Sequence, residues 1–327
     1  MKTQHFFSRV IAAIVVAAIA MISTRAHAQL QPQHLYYGVD RPVPINVKLP
    51  AGAAGDAHID LLEPETAKVL ISAAVVDGTA DLATMFELWK ADSHSLMYAQ
   101  LVVGDEKVGP ALVIQPLLSR PIAVIQNPND PRAAPIFPPM PQTFSGFRIY
   151  VDKHVIMHTS KGDIELRLRP DQAPNTCWNF RHLVEGGFYT DIIFHRIVGP
   201  NFVIQAGDPT GMGSGGPGYN FDLEDSKLPH DFGVLSTARS GDPNSNGSQI
   251  FICLSRDGTN FLDGRYTSYG QTVRGFDVIR EIAAVPVNNQ RPIDPPVWHS
   301  AELIDAPPYG TGFGGNTTES GDDAEGK

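Results

Sequence analysis

Cysteine is scarce. The 327-residue chain holds two, Cys177 and Cys253, so a small disulfide-built scaffold is excluded. In an oxidising compartment the two could bridge. Cys177 falls in a predicted helix and Cys253 in a predicted strand, and a pair of buried free thiols is the simpler reading. Long apolar runs are also missing: the run from Val10 to Ile22 is about 13 residues, short of the ~20 that span a bilayer. Basic charge is in deficit, with 25 Lys+Arg against 35 Asp+Glu and a formal net charge of −10. An acidic chain repels phosphate backbones, which argues against nucleic acid as a partner. No G-x-S-x-G occurs, so a nucleophile-elbow hydrolase has no support. His154 and His158 are four apart but lie on a strand-like run without a third ligand. Neither a metal site nor a cofactor is expected.

Other motifs are decoys. Gly211-Met-Gly-Ser-Gly-Gly216 matches G-x-G-x-x-G, but the dinucleotide fingerprint needs a helix directly after it, and Pro217-Gly218 breaks one. Asn246-Gly-Ser and Asn316-Thr-Thr are formal glycosylation sequons and are discounted.

What is present begins with a secretory signal over 1–28. Lys2 and Arg9 form a positive n-region, the Val10 to Ile22 run is the h-region, and Ala26-His27-Ala28 is an A-x-A cleavage site. No Cys follows it, so a lipid anchor is not indicated. Cleavage removes Lys2, Arg9 and Arg25 and no acidic residue, leaving the chain more acidic. The expected location is exported, periplasmic or secreted, with no stable membrane insertion after cleavage.

Residues 29–120 read as a small β-rich, sandwich-like domain of unknown role. Strand patterns cover Ile45 to Leu49, His58 to Leu62, Val69 to Val76, Tyr98 to Val103 and Ala111 to Leu117, with turn residues between them. Asp81 to Trp89 reads as a short helix capped by Asp81. Residues 121–149 have the proline content of a stiff linker. In 150–307, Val155 to Leu168 is a predicted hairpin. A helix starts at Pro174, with Cys177, Phe180 and Val184 on one face and Gly186-Gly187 at its end. Short strands follow around 192–198, 202–205, 234–237, 249–254 and 269–273, then a helix over 276–283 and a last strand over 297–303. This pattern predicts a closed β-barrel with helices over its ends. Residues 308–327 read as a disordered acidic tail.

Three stretches stand apart. Phe194-His-Arg-Ile-Val-Gly-Pro-Asn-Phe-Val-Ile-Gln-Ala-Gly-Asp208 sets one guanidinium beside an apolar run and an amide. Asn246-Gly-Ser-Gln-Ile-Phe-Ile-Cys253 and Asn260-Phe-Leu-Asp-Gly264 answer it downstream. In this order they resemble the cyclophilin family of peptidyl-prolyl isomerases, as an exported, bacterial-like member with an extra N-terminal domain. The resemblance runs from about Val155 to Ile304. It implies an eight-stranded antiparallel barrel capped by two helices, and isomerase activity on proline-containing segments of exported or envelope proteins.

The residues fit that chemistry. Rotating an X–Pro bond breaks amide resonance against a barrier of ~18–20 kcal/mol. No proton, metal or nucleophile is required. In the twisted state the imide nitrogen regains a lone pair, which a fixed guanidinium can bind more strongly than it binds the planar ground state. Arg196 is the candidate catalytic donor. Phe202, Val203, Phe251 and Leu262 would line a proline pocket; singly, each could be plain core, and their placement around Arg196, Gln205 and Gln249 favours the pocket. Gln205 would hold Arg196 and the substrate carbonyl, and His195 would position the loop and reach the substrate backbone. The resemblance implies that backbone around Ala238 and Arg239 pairs with the segment before the proline. Phe261 and Tyr266 stand where well-known members carry Trp and His. With no indole N–H, cyclosporin should bind weakly. Extra residues occur in Val198 to Phe202 and near Asp242-Pro243. Two other readings compete: a module that grips X–Pro segments without turnover, and an envelope scaffold whose N-terminal domain does the recognition.

Overall fold

The computed structural model describes residues 29–311, except 51–52, 54–55, 91–93, 120–123, 131–132 and 139–141. The expected signal over 1–28 and the acidic tail beyond 311 lie outside the described residues. In chain order the strands are β1 Leu30–Pro32, β2 Tyr36–Gly38, β3 Pro44–Val47, β4 Ala57–Leu62, β5 Val69–Ala74, β6 Gly78–Asp81, β7 Met97–Val103, β8 Glu106–Ser119, β9 Thr143–Val151 and β10 Lys153–Thr159. They continue as β11 Gly162–Leu168, β12 Ile192–Ile193, β13 Arg196–Val198, β14 Val203–Ala206, β15 Val234–Thr237, β16 Ile250–Cys253, β17 Ser268–Arg274, β18 Val287–Asn288, β19 Arg291–Pro292 and β20 Val297–Asp305. The helices are α1 Leu82–Met85, α2 Pro174–Glu185, α3 Arg256–Thr259 and α4 Phe276–Ala283.

In the N-terminal half a six-stranded sheet, β2-β9-β8-β7-β4-β5, and a three-stranded sheet, β1-β3-β6, share one apolar cluster that includes Leu30, Ile45, Ile59, Leu101 and Phe147. Asp81 caps α1, accepting from the Ala83 N–H at 3.1 Å. The helix is shorter than its apolar spacing predicts, and a 3-10 turn over Leu88–Lys90 follows it.

Two boundaries need correction. The range 121–149 is not all linker, because β9 begins at Thr143 and pairs along β8. Its prolines end at Pro141, and the apolar alternation of Phe147, Ile149 and Val151 then builds a strand. Residue 150 is therefore inside β9, not at a domain edge. The start of the tail is ordered too: Tyr309 is buried against Tyr98.

The C-terminal half carries one antiparallel ladder, β12-β20-β10-β11-β17-β15-β16-β14-β13. The expectation of a closed eight-stranded barrel is corrected: nine strands form a curled, open ladder whose end strands, β12 and β13, do not pair. Only Phe194 and His195 separate β12 from β13, so the two ends of the ladder come together. Across those residues the chain changes partner, from β20 to β14. The hollow is filled. Cys177, Phe180, Leu183 and Val184 of α2 and Val278, Ile279 and Ile282 of α4 enter the same cluster as Ile197, Ile204, Leu235 and Ile252 of the strands. Tyr189 stacks on Trp298 with centroids 4.2 Å apart. Both cysteines are free and buried. The N-terminus of α2 has no side-chain cap of its own. The Glu224 carboxylate supplies it, accepting from the Asn175 and Thr176 N–H groups at 3.1 and 2.7 Å, where the helix dipole favours an anion.

The halves touch at several points. Arg181 donates to the Val151 carbonyl at 2.6 Å, and Arg148 lies 4.5 Å over the Trp178 ring. Asn244 donates to the Val124 carbonyl at 2.6 Å.

Candidate active site

Strand register assembles the site. Arg196 on β13 faces Gln205 on β14, Gln205 faces Phe251 on β16, and Phe251 faces Ser236 on β15. Residues directly opposite one another share a face. These four therefore form a row across the sheet, on the side away from the helix-filled core. The intervening Ile197, Ile204, Ile252 and Leu235 point into that core. The alternation Val203, Ile204, Gln205, Ala206 thus has two meanings: odd positions build the site, even positions hold the fold.

Beside the row lies a second apolar cluster of Val203, Leu228, Val234, Phe251, Cys253 and Leu262, with Phe202, Ala238 and Tyr266 at its edge. Phe202, Val203, Phe251 and Leu262 are thereby brought together. Phe261 is 51% exposed and stacks on Phe202 at 5.7 Å. Tyr266 meets Phe251 edge-on at 5.7 Å. The Arg239 guanidinium lies 4.7 Å over Tyr266 and donates twice to the Arg265 carbonyl. Ala238 spends its N–H on the Gln249 carbonyl at 2.9 Å.

Arg196 is held at two nitrogens. Nη1 donates to Gln205 Oε1 at 3.2 Å and Nε to Gln290 Oε1 at 2.8 Å. Nη2 has no partner among the described residues. Gln205 Nε2 passes the chain on to Gln249 Oε1 at 3.0 Å, and Gln249 Nε2 to the Gly215 carbonyl at 2.9 Å. The guanidinium is 6.0 Å from the Phe202 ring centroid. A flat cation with two of its three nitrogens fixed has its plane set, and the third nitrogen, Nη2, remains for a substrate.

His195 is 6% exposed and lies against the glycine-rich loop at Gly213. Neither ring nitrogen has a hydrogen-bond partner among the described residues. Burial holds its pKa below the ordinary value, so the ring is neutral near pH 7. The loop itself is anchored by Asp208, which sequence reasoning did not single out. Its carboxylate accepts from Thr210 N and Gly213 N at 2.7 and 2.5 Å, and from the Gly215 backbone. Burial raises this carboxyl, but these hydrogen bonds together outweigh it and bring it down to about 2. A Cβ on Gly215 would sit 2.1 Å from Asp208 Oδ1, so only glycine allows that approach.

Sequence reasoning also missed what lies behind the pocket. His230 stacks on Phe251 at 5.9 Å. Its Nδ1 pairs with Asp263 and its Nε2 with Ser236, at 2.9 and 3.0 Å. The fragment His-Asp-Phe around it carries no periodic signal that would reveal this.

The arrangement supplies an apolar cup, a plane-fixed cation at its edge, and no group poised for proton transfer. The family model described as cyclophilin type peptidyl-prolyl cis-trans isomerase/CLD matches residues 154–302. The peptidyl-prolyl cis-trans isomerase-like 1 protein of Emericella nidulans is 43% identical over 158 residues, covering 46% of this chain and 95% of that one. A peptidyl-prolyl cis-trans isomerase of Schizosaccharomyces pombe is 41% identical over 148 residues, covering 43% and 93%. The crystal structure of a cyclophilin type isomerase from Cryptosporidium parvum has a TM-score of 0.45 and 35% identity, over 47% of this chain and 99% of that one. Residues 154–302 carry the site and nearly all of the curled ladder, and through them this chain belongs to the cyclophilin-type peptidyl-prolyl cis-trans isomerase family.

Proposed function

We propose that the isomerase accelerates X–Pro rotation in exported or envelope proteins, with Arg196 Nη2 as the donor to the imide nitrogen. The observation that carries the reading is the bonding of Arg196: Nε and Nη1 are engaged, Nη2 has no partner among the described residues, and the guanidinium lies 6.0 Å from the Phe202 ring at the edge of the apolar cluster. A donor fixed in advance binds the pyramidal nitrogen without reorganising at the moment of reaction. Phe202, Val203, Phe251 and Leu262 grip the proline ring, with Phe261 and Tyr266 at the rim. Gln205 and Gln249 orient the cation, and His195 supports the loop from beneath. Ala238 has committed its N–H, so its carbonyl and the Arg239 amide are left to pair with the segment before the proline.

A barrier lowered by about 5.4 kcal/mol gives roughly ten-thousandfold acceleration. One charge-assisted hydrogen bond contributes ~1.5–3 kcal/mol, so desolvation and positioning in the cup must supply the remainder. Export is supported by the charged n-region, the apolar h-region and the Ala26-His27-Ala28 site. The deciding experiment runs the full chain in a protease-coupled assay on an Ala-Pro tetrapeptide, and on a protein whose refolding is limited by proline isomerisation. Rate acceleration of both is expected. Suppressed aggregation with no change in either rate would favour a gripping module without turnover.

A further inference from the structure

The turn joining β18 to β19 reaches back to β13 twice. Its Gln290 side chain accepts from Arg196 Nε at 2.8 Å, and its backbone carbonyl accepts from the Ile197 N–H at 2.7 Å. The next residue, Arg291, donates from Nη1 to the Gly211 carbonyl at 2.9 Å. These bonds complete a circuit. It runs from Arg196 through Gln205 and Gln249 to Gly215, along the loop pinned by Asp208 to Gly211, and back through Arg291 and Gln290. Asn289 and Gln290 adopt φ of 49° and 69°, the left-handed region that glycine enters more readily. The chain carries a long amide there instead. A two-residue hairpin turn sets φ above zero at both central positions and favours glycine at the second, so the residue found there gives up backbone ease and keeps a side-chain acceptor for Arg196.

We propose that Gln290 is a positioning residue for the isomerisation. It fixes Arg196 at Nε while Gln205 fixes it at Nη1, and so presents Nη2 to the imide nitrogen. This rests on the reading of Arg196 as the donor. Gln290 is exposed, so water competes for its bond to Arg196 until substrate covers the site. The effect of losing it is therefore smaller than that of losing Arg196 itself. It falls on kcat rather than KM, because the guanidinium's plane matters most when the nitrogen pyramidalises.

The test measures kcat and KM on an Ala-Pro tetrapeptide for the full chain and five variants: Gln290→Ala, Gln290→Gly, Gln290→Glu, Arg196→Ala and the Arg196→Ala/Gln290→Ala double. Gln290→Ala should lower kcat by about three- to tenfold, with KM changed by less than about twofold. Gln290→Gly relaxes the backbone but lacks the acceptor, and should be as slow. Gln290→Glu keeps an acceptor at the same reach and should recover most of the loss. The double variant should be no slower than Arg196→Ala alone, since Gln290 acts only through Arg196. A Gln290→Ala protein at wild-type kcat beside a slow Arg196→Ala protein overturns this inference and leaves the donor reading intact. So does a double variant slowed by a further three- to tenfold, or a Gln290→Glu protein as slow as Gln290→Ala. An Arg196→Ala protein as fast as wild type overturns the donor reading instead, and the role of Gln290 with it.

Discussion

Replacing Tyr309 by alanine should lower thermal stability markedly and leave isomerisation of a short peptide unchanged. Tyr309 lies four residues beyond β20, yet it is 4% exposed. Its ring stacks on Tyr98 of the six-stranded sheet at 3.7 Å and 18°, and its hydroxyl donates to the Pro64 carbonyl. Its N–H donates to Gln100 Oε1 and its carbonyl accepts from Lys107 Nζ, both at 2.7 Å. The strap thus ties the end of the isomerase ladder to the N-terminal half. Alanine keeps the backbone bonds and loses the ring and hydroxyl. Truncating a buried large aromatic costs about 3–5 kcal/mol. Of that, the stack accounts for ~0.5–1.5 kcal/mol and the hydroxyl for a similar ~0.5–1.5 kcal/mol. At roughly 2 °C per kcal/mol for a chain of this size, Tm should fall by about 6–10 °C. Tyr309→Phe, which keeps the stack, should fall by about 2 °C. Differential scanning calorimetry reads both, and the tetrapeptide assay should show unchanged kcat/KM, because no hydrogen bond of the circuit around Arg196 involves Tyr309. A Tyr309→Ala protein melting within about 2 °C of wild type would show that the strap does not join the halves, and would refute the reasoning.

Two further outcomes are expected. Burial lowers the pKa of His195 and of His230, so below about pH 6.5 the unfolded chain takes up protons that the folded chain refuses. Stability should be full above about pH 6.5 and decline as pH falls below it; urea midpoints between pH 7.5 and 5.5 read this, and a His195→Gln/His230→Gln variant with an equally steep decline would contradict it. Phe261→Trp should bind cyclosporin roughly two- to tenfold more tightly than wild type, because one neutral hydrogen bond contributes ~0.5–1.5 kcal/mol; equal inhibition constants in the coupled assay would remove the indole argument.

Legibility in the sequence followed locality. The β10–β11 hairpin, both long helices and the alternation through Val203 and Gln205 were readable because each is a run of short-range spacing. Arg196, Gln205 and Phe251 were legible as a set only through the family resemblance, and strand register then placed them in one row. Gln290 was not legible: its turn has no glycine, and its bond to Arg196 spans 94 positions. Strand β9 was hidden by the prolines before it. Tyr309 was hidden by the polar, glycine-rich residues after it. The openness of the ladder was not legible either, because the run over 192–198 carries no glycine or proline to mark the change of partner at Phe194 and His195.

The central claim is that a plane-fixed guanidinium stabilises the twisted imide. The most direct measurement is kcat/KM of Arg196→Ala on the Ala-Pro tetrapeptide, with circular dichroism confirming that the protein is folded. The account predicts a loss of ten- to a thousandfold, roughly 1.4–4 kcal/mol of transition-state stabilisation. Arg196→Lys should recover little, since an ammonium keeps the charge but cannot bond Gln205 and Gln290 while presenting a third nitrogen. A folded Arg196→Ala protein that isomerises the peptide at the wild-type rate would contradict the account.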